Sequence, residues 1–366
     1  MVRRSLALIW LTVAVVPAFG VTTALTRAHR AELSRLAAEW SARGERALED
    51  GAAADAIADF RNALTYGGES RAVRLRLAQA LAAADRGDEA LGYLATLWDD
   101  EPGNGPVNLE LARIYARRGN TSEATRYYHG AIEGAWADDA ERRRRDARLE
   151  LANLLVASGD QAHAEPELVA LTSDLPSDPS TLKQIADLLK RANLLDHAQR
   201  VLLTVLKSNP RDAVALGQLG ELAFRQRDFA TAVRYLERAA AATDDGAVRR
   251  DARIARLVLD SNPYQRRLAR TERARRARDA FAAAQARLAS CAQTAAGDST
   301  LGGLRTRGAA LEHDASESHL RADPDAIDTV MEFAFDVEAA AAARCGEGED
   351  IDRALQLLGE VRRGER

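Results

Sequence analysis

The densest set of metal-ligating side-chain types in this chain is the stretch Glu312-His313-Asp314-Ala315-Ser316-Glu317-Ser318-His319. Imidazoles and carboxylates are the ligands that divalent transition ions take. His313 and His319 stand six residues apart, however, and on one continuous helix that spacing puts them on different faces. The pattern therefore predicts no metal site, and nothing else predicts a cofactor. Cys291 and Cys345 are the only cysteines; they exclude a Cys-only zinc or iron–sulfur centre, which needs about four thiolates. They leave one disulfide or two buried thiols. No phosphate-cradling glycine loop, nucleophile elbow, paired-histidine zinc helix, dinucleotide fingerprint or EF-hand loop occurs. Carboxylate pairs are plentiful, but no apolar pocket is evident to raise the pKa of one member, so general acid–base catalysis has no support. A non-enzymatic protein is expected.

Charge points the same way. Lys+Arg number 51 against 55 Asp+Glu, a net of -4, so nothing global attracts nucleic acid or an acidic partner. Basic surface is local: between Tyr264 and Asp279 seven Arg oppose Glu272 and Asp279. With one aromatic in that segment and no recognisable nucleic-acid-binding motif, a solvated helix face is the expectation there, with an anionic headgroup or acidic partner as the runner-up. The Arg142–Arg145 run is interleaved with acids and reads as local salt pairing.

The elements that position these groups are helices. Hydrophobic residues make up 46 %, charged residues 29 % and aromatics 5 %, with Ala, Leu, Arg and Glu dominant; strand-forming residues are too thin for a large sheet. Small residues recur at Ala56, Ala90, Ala124, Ala164, Ala198 and Ala232, in steps of 34, 34, 40, 34 and 34. Twelve residues before each stands Gly44, Ala78, Ala112, Ala152, Ala186 or Gly220. Four and seven residues after each the chain is apolar, as in Phe60 and Ala63 or Leu202 and Val205, which is one-turn spacing on a helix face. Gly51, Gly119 and Gly159 share one phase, and Pro102, Pro176 and Pro210 another; both mark helix stops. Each unit thus reads as a helix–turn–helix hairpin whose two backbones approach at small residues. Stacking the hairpins buries faces that none can bury alone.

This pattern, with Trp40, Gly44, Gly51, Ala56, Phe60 and Ala63 opening it, resembles the tetratricopeptide repeat family. The resemblance implies an all-α fold: a helical solenoid over residues 31–246 with repeats 37–70, 71–104, 105–138, 145–178, 179–212 and 213–246. Residues 247–366 follow as a capping helix and a C-terminal helical bundle. The six extra residues around Asp139–Arg144 are expected to lengthen one connection. In this family the first helix of each repeat lines a binding groove, and the matching positions here are Glu45, Glu49, Gln79, Arg113, Arg117, Asn153, Lys183, Asp187, Lys190, Arg191, Glu221, Phe224 and Arg225. The middle and late groove reads as net basic, which favours an acidic peptide, a carboxylate tail or an anionic polymer. The Lys and Asn clamp that holds chaperone tails is missing, since Asn153 has no Lys one turn before it.

At the amino terminus, Arg3 and Arg4 precede an uncharged stretch from Ser5 to Thr26. At roughly 1.5 Å per residue a helix of this length spans about 33 Å, enough for a hydrocarbon core of about 30 Å. Residues 1–30 are therefore expected to be a single transmembrane anchor. A cleaved signal peptide is the alternative, with Leu6–Val16 as its apolar region and Ala18-Phe-Gly20 or Thr22-Thr-Ala24 as cleavage sites. The bulk of the chain is expected outside the cytoplasm. Such an anchor followed by repeats is also similar to the bacterial lipopolysaccharide-assembly regulators, which face the cytoplasm; their paired CxxC metal knuckle is absent here.

In the tail, Phe281, Leu288 and Cys291 continue one helix, and Ile327, Val330, Met331, Ala334, Phe335 and Val337 repeat at helical spacing after Asp323-Pro324. An up–down–up path of three helices would place Cys291 and Cys345 at one end of the bundle. A disulfide between them is expected on export to an oxidising compartment. The reading as a whole is a non-enzymatic interaction scaffold that presents its groove to unidentified protein or peptide partners of the cell envelope.

Overall fold

The computed structural model describes residues 2–173, 175–295 and 297–364, excepting the side chains of residues 2–18 and 294. Helix α1 covers Val2–Glu49, and the apolar run Leu6–Val16 on which the anchor expectation rests falls among the side chains outside this description. Among the described residues no helix is long and apolar enough to cross a membrane. The chain divides into two compact units, Met1–Asp174 and Leu175–Arg366.

The first unit continues with α2 (Ala53–Gly67), α3 (Arg71–Ala83), α4 (Gly87–Asp100), α5 (Gly105–Arg117), α6 (Thr121–Glu133), α7 (Ala140–Ser158) and α8 (Gln161–Ser173). Each helix packs on the next, and the first helices of neighbouring repeats also meet, α1 with α3 and α3 with α5. The repeat register explains the packing. Ala56, Ala78, Ala90, Ala112, Ala124, Ala152 and Ala164 are all fully buried at the hairpin contacts. A Cβ on Gly44 would come within 2.8 Å of the Phe60 ring, so that crossing admits no side chain.

The turn inside each hairpin repeats as strictly as the alanines. Gly51, Asp85, Gly119 and Gly159, and in the second unit Asn193 and Arg227, all have φ between 59° and 78°. The left-handed conformation is thus fixed by the hairpin geometry, whatever residue fills the position. Only three of the six use glycine, which adopts it without steric cost. Side-chain caps begin many of the helices: Ser70, Asn104 and Asn120 accept hydrogen bonds from the backbone two or three residues into α3, α5 and α6.

The extra residues between the third and fourth repeats do not simply lengthen a connection, as the sequence suggested. The helix α7 starts at Ala140 and absorbs five of them into a 19-residue helix. Arg142 bridges back to Asp139 and forward to Asp146 across that first turn, and such pairs extend a helix where turn residues are lacking.

The second unit holds α9 (Pro179–Arg191), α10 (Leu195–Ser208), α11 (Ala213–Arg225) and α12 (Phe229–Ala240), the fifth and sixth hairpins. Then come α13 (Gly246–Ser261), α14 (Arg270–Thr294), α15 (Ser299–Leu311), the short α16 (Glu317–Ala322), α17 (Ala326–Cys345) and α18 (Asp350–Gly364). Ile254, Ala255 and Val258 of α13 are buried against α12, and α18 covers α13 in turn. One apolar cluster therefore runs from Ala223 and Phe229 through Phe281 and Phe333 to Leu358. The segment Tyr264–Ala269, which the sequence suggested as part of a basic helix, is a non-helical connection before α14, with Arg267 in the left-handed region at φ 69°.

Candidate functional site

Expected groove residues Gln79 and Arg113 belong to a polar ladder across the first helices of the first unit. Glu45 of α1 pairs with Arg76 of α3 at 3.5 Å, and Arg76 donates to Gln79 Oε1 at 3.0 Å. Gln79 donates to Glu110 Oε1 of α5 at 3.1 Å, and Arg113 donates to the same oxygen at 3.0 Å. Arg113 then reaches α7, giving Nε to Glu150 Oε2 at 2.9 Å and Nη2 to Oε1 at 2.6 Å. The Tyr128 hydroxyl completes the network with a bond to Glu150 at 3.1 Å. These bonds to Glu150 raise the Arg113 pKa, and burial, reinforced by the Glu150 charge, raises that of Tyr128. Arg113 is thus a fixed cation on a rigid strut.

Beside the ladder lies a cleft with an apolar floor of Leu75, Pro106, Leu109 and Trp136. Arg76, Gln79, Glu110, Arg113, Asp138 and Arg143 supply its polar rim. The segment between α6 and α7 builds its wall. Gly105 N donates to Ala135 O at 3.0 Å and Ala135 N to Gly103 O at 2.8 Å, tying the segment to the start of α5. Trp136 Nε1 donates to Ala131 O, and a Cβ on Gly105 would sit 2.5 Å from the indole. The Arg143 guanidinium lies over the ring, 5.8 Å from its centroid. Such a cleft can hold an apolar side chain while the rim bonds an extended backbone or charges of either sign. Arg117 and Asn153 are exposed and do not line it.

In the second unit the expected net-basic groove is not what the side chains make. Lys183 pairs with Asp212 at 3.0 Å, and Lys190 pairs with Glu221. Lys183 thus meets the residue that caps α11, and Lys190 meets a residue within α11. Arg191 and Arg225 are exposed, and Asp187 is half-buried. A second hollow there is lined by Val214, Gly217, Gln218, Glu221, Val248 and Asp251, with no basic residue. Burial, helped by the Glu221 charge, raises the Asp251 pKa. Glu49 and Phe224 line neither hollow.

Sequence reasoning missed Trp136, Arg143, Glu110 and Glu150. Tryptophan is scarce, at four in the chain, and the place of Trp136 just before the one insertion was a usable signal. Glu110 and Glu150 fall 31 and 37 residues beyond Gln79 and Arg113, close to one repeat, so opposite polarity at near-repeat spacing was a second.

In the tail, Cys291 and Cys345 are joined in a disulfide, with Cα atoms 5.7 Å apart, at the carboxy ends of α14 and α17. Three of the seven arginines of the Arg-rich run are occupied internally. Arg276 donates to the Leu259 and Asn262 carbonyls and to Glu272, Arg275 bridges Glu272 and Asp279, and Arg278 meets Glu312 at 3.4 Å. The reason given for dismissing His313 and His319 fails, because the chain leaves α15 at Leu311 and turns before α16. Their rings lie 5.5 Å apart.

The tetratricopeptide repeat family model matches residues 47–100 and 83–133. Solved structures similar to this chain include pilF of Pseudomonas aeruginosa, at 17 % identity over 60 % of this chain and 96 % of that one, TM-score 0.44. A tetratricopeptide repeat protein from Parabacteroides merdae is similar at 13 % identity over 89 % and 99 %, TM-score 0.41. The C-terminal part of a repeat-containing protein from Cytophaga hutchinsonii is similar at 15 % identity over 64 % and 91 %, TM-score 0.47. No curated protein matches the chain.

Proposed function

We propose that this chain, whose residues 47–133 match the tetratricopeptide repeat, is a non-enzymatic interaction scaffold that captures an extended segment of an envelope protein. The observation that carries the reading is the cleft of the first unit, with the Trp136 and Leu109 floor beside the Arg76–Glu110–Arg113 rim. Rigid struts that already satisfy their own charges cost little entropy on binding, which favours capture of a flexible peptide. Because the rim carries both signs, the partner segment is an apolar residue flanked by charges of both signs rather than a uniformly acidic tail.

The same reading places the scaffold at a membrane through residues 1–30, with the bulk of the chain outside the cytoplasm. Its support is the uncharged stretch Ser5–Thr26 behind Arg3 and Arg4. The Cys291–Cys345 disulfide favours an oxidising compartment over the cytoplasm-facing alternative. Membrane fractionation with an amino-terminal sequence read separates a retained anchor from a periplasmic module released by signal cleavage.

Crosslinking pull-down from envelope extracts tests the cleft. Trp136→Ala and Arg143→Glu are expected to lose the captured partner while helicity by circular dichroism is unchanged. Undiminished capture by both variants would place the docking face elsewhere.

A further inference from the structure

A second site stands outside the repeats, where α15 gives way to α16. The chain from Glu312 to Ser316 is not continuous helix; it closes as a turn, with Ala315 N on Leu311 O at 2.8 Å and Ser316 N on His313 O at 3.1 Å. That turn swings His313 and Asp314 round to face His319. One imidazole nitrogen from each histidine and one carboxylate oxygen of Asp314 all lie within 4.8 Å of one another. We infer that His313, Asp314 and His319 form a binding site for a borderline divalent transition cation of the zinc class.

Three observations carry this. The first is the donor set: two neutral imidazoles and one carboxylate suit Zn²⁺, Ni²⁺ or Cu²⁺ rather than the all-oxygen shells of Mg²⁺ and Ca²⁺. The second is spacing. His319 Nε2 stands 3.7 Å from Asp314 Oδ1, too long for a hydrogen bond. Two ligands held about 2.1 Å from a shared tetrahedral ion sit roughly 3.4 Å apart, so this separation is close to that of co-ligands. The His313 nitrogen lies within 4.8 Å of the other two ligand atoms, and its exposed ring can turn inward to close the remaining gap of about an ångström.

The third is pre-organisation. Ala315 and Leu320 are buried in the core on either side of the turn. Glu312 is held to α14 by Gln285 at 2.8 Å and by Arg278. The Ser316 hydroxyl accepts from His319 N at 3.4 Å, fixing the backbone that carries the third ligand. The turn therefore loses little freedom when it takes up an ion. Three protein ligands leave a coordination position open to water, and the bound ion would staple the end of α15 to the start of α16.

Titration of the untagged, chelator-treated full chain with ZnCl₂, followed calorimetrically, with CoCl₂ read by its visible absorption, tests the site. One ion per chain and a tetrahedral-type cobalt spectrum are expected. His313→Ala removes an exposed ligand that lies outside the apolar core and should weaken binding at least roughly 100-fold, beyond the 10–100-fold typical of losing an outer-shell partner; His319→Ala should do the same. His163→Ala, a surface histidine beside Asp160, should bind as the unaltered chain does. Absence of saturable binding, or binding that survives His313→Ala with its cobalt spectrum intact, would overturn the site.

Discussion

Arg113 grips Glu150 with two parallel hydrogen bonds of 2.9 and 2.6 Å, and so joins the first helix of one repeat to the first helix of the next. Bidentate geometry makes this stronger than an ordinary surface pair, yet both side chains keep about a third of their surface in solvent, which screens it. Arg113→Ala or Glu150→Ala should each cost about 1–2 kcal/mol in urea unfolding of the chain. A double-mutant cycle should show coupling of roughly half that or more. Additive effects would mean the pair contributes nothing to repeat stacking.

The six turn positions with positive φ predict opposite effects of opposite substitutions. At Asp85, φ 60°, replacement by glycine removes the Cβ penalty and should stabilise by about 0.5–1 kcal/mol. At Gly119, φ 71°, alanine should destabilise by about 1 kcal/mol, since the side chain would be strained although no neighbour blocks it. Midpoints of chemical denaturation for the two variants should move in opposite directions. Movement in the same direction would show that the turn conformation is not what the two positions share.

Reduction should weaken the second unit. Cys291 and Cys345 are 54 residues apart, and closing a loop of that size stabilises by about 4 kcal/mol in the chain-entropy model. Thermal melting with reductant, or of a Cys291→Ser, Cys345→Ser variant, should reveal a clear fall. Thiol labelling of protein taken from its native compartment gives an independent check. Two freely reactive thiols would rule out the bond.

Glu338 sets a pH dependence. It is 2 % exposed, one of its oxygens has no hydrogen-bond partner, and burial reinforced by the Asp352 charge pushes its pKa up to about 8, with Arg287 opposing. The folded chain holds this proton where the unfolded chain has released it, so the stabilisation is complete below pH 4.5 and is lost as pH rises from there toward 8. Each pH unit in that window removes on the order of 1.4 kcal/mol from this group's contribution. Glu338→Gln should flatten the decline. Equal slopes for the two proteins across that window would refute the assignment.

The repeats were legible because they are a local property. A hairpin whose backbones cross closely demands a small residue at a fixed phase, and Ala198 or Gly220 shows that phase without reference to anything distant. Of the last helices, α17 was legible in the same way, from the spacing of Ile327 to Val337, whereas α16 and α18 add to the three-helix path the sequence suggested. The cleft was less so. Gln79 and Arg113 were visible as first-helix residues, but the insertion's effect was not, because turning Ala140–Arg144 into helix and folding Trp136 onto Gly105 depend on packing between segments distant in the chain.

Charge shows the division most clearly. The sequence by itself determined which residues stand on the first helices, Lys183 and Lys190 among them, since helical period alone places them. It did not determine what those charges do. Lys190 meets Glu221 from 31 residues away, and the pairing turns an expected basic groove into neutral struts and an acidic hollow. Likewise, six residues of helix would have separated His313 from His319, and a turn brings them together. Periodicity is written in the order of residues, whereas pairing across repeats and the reversal of a chain at a turn depend on which surfaces pack, and packing is settled only when the whole core forms.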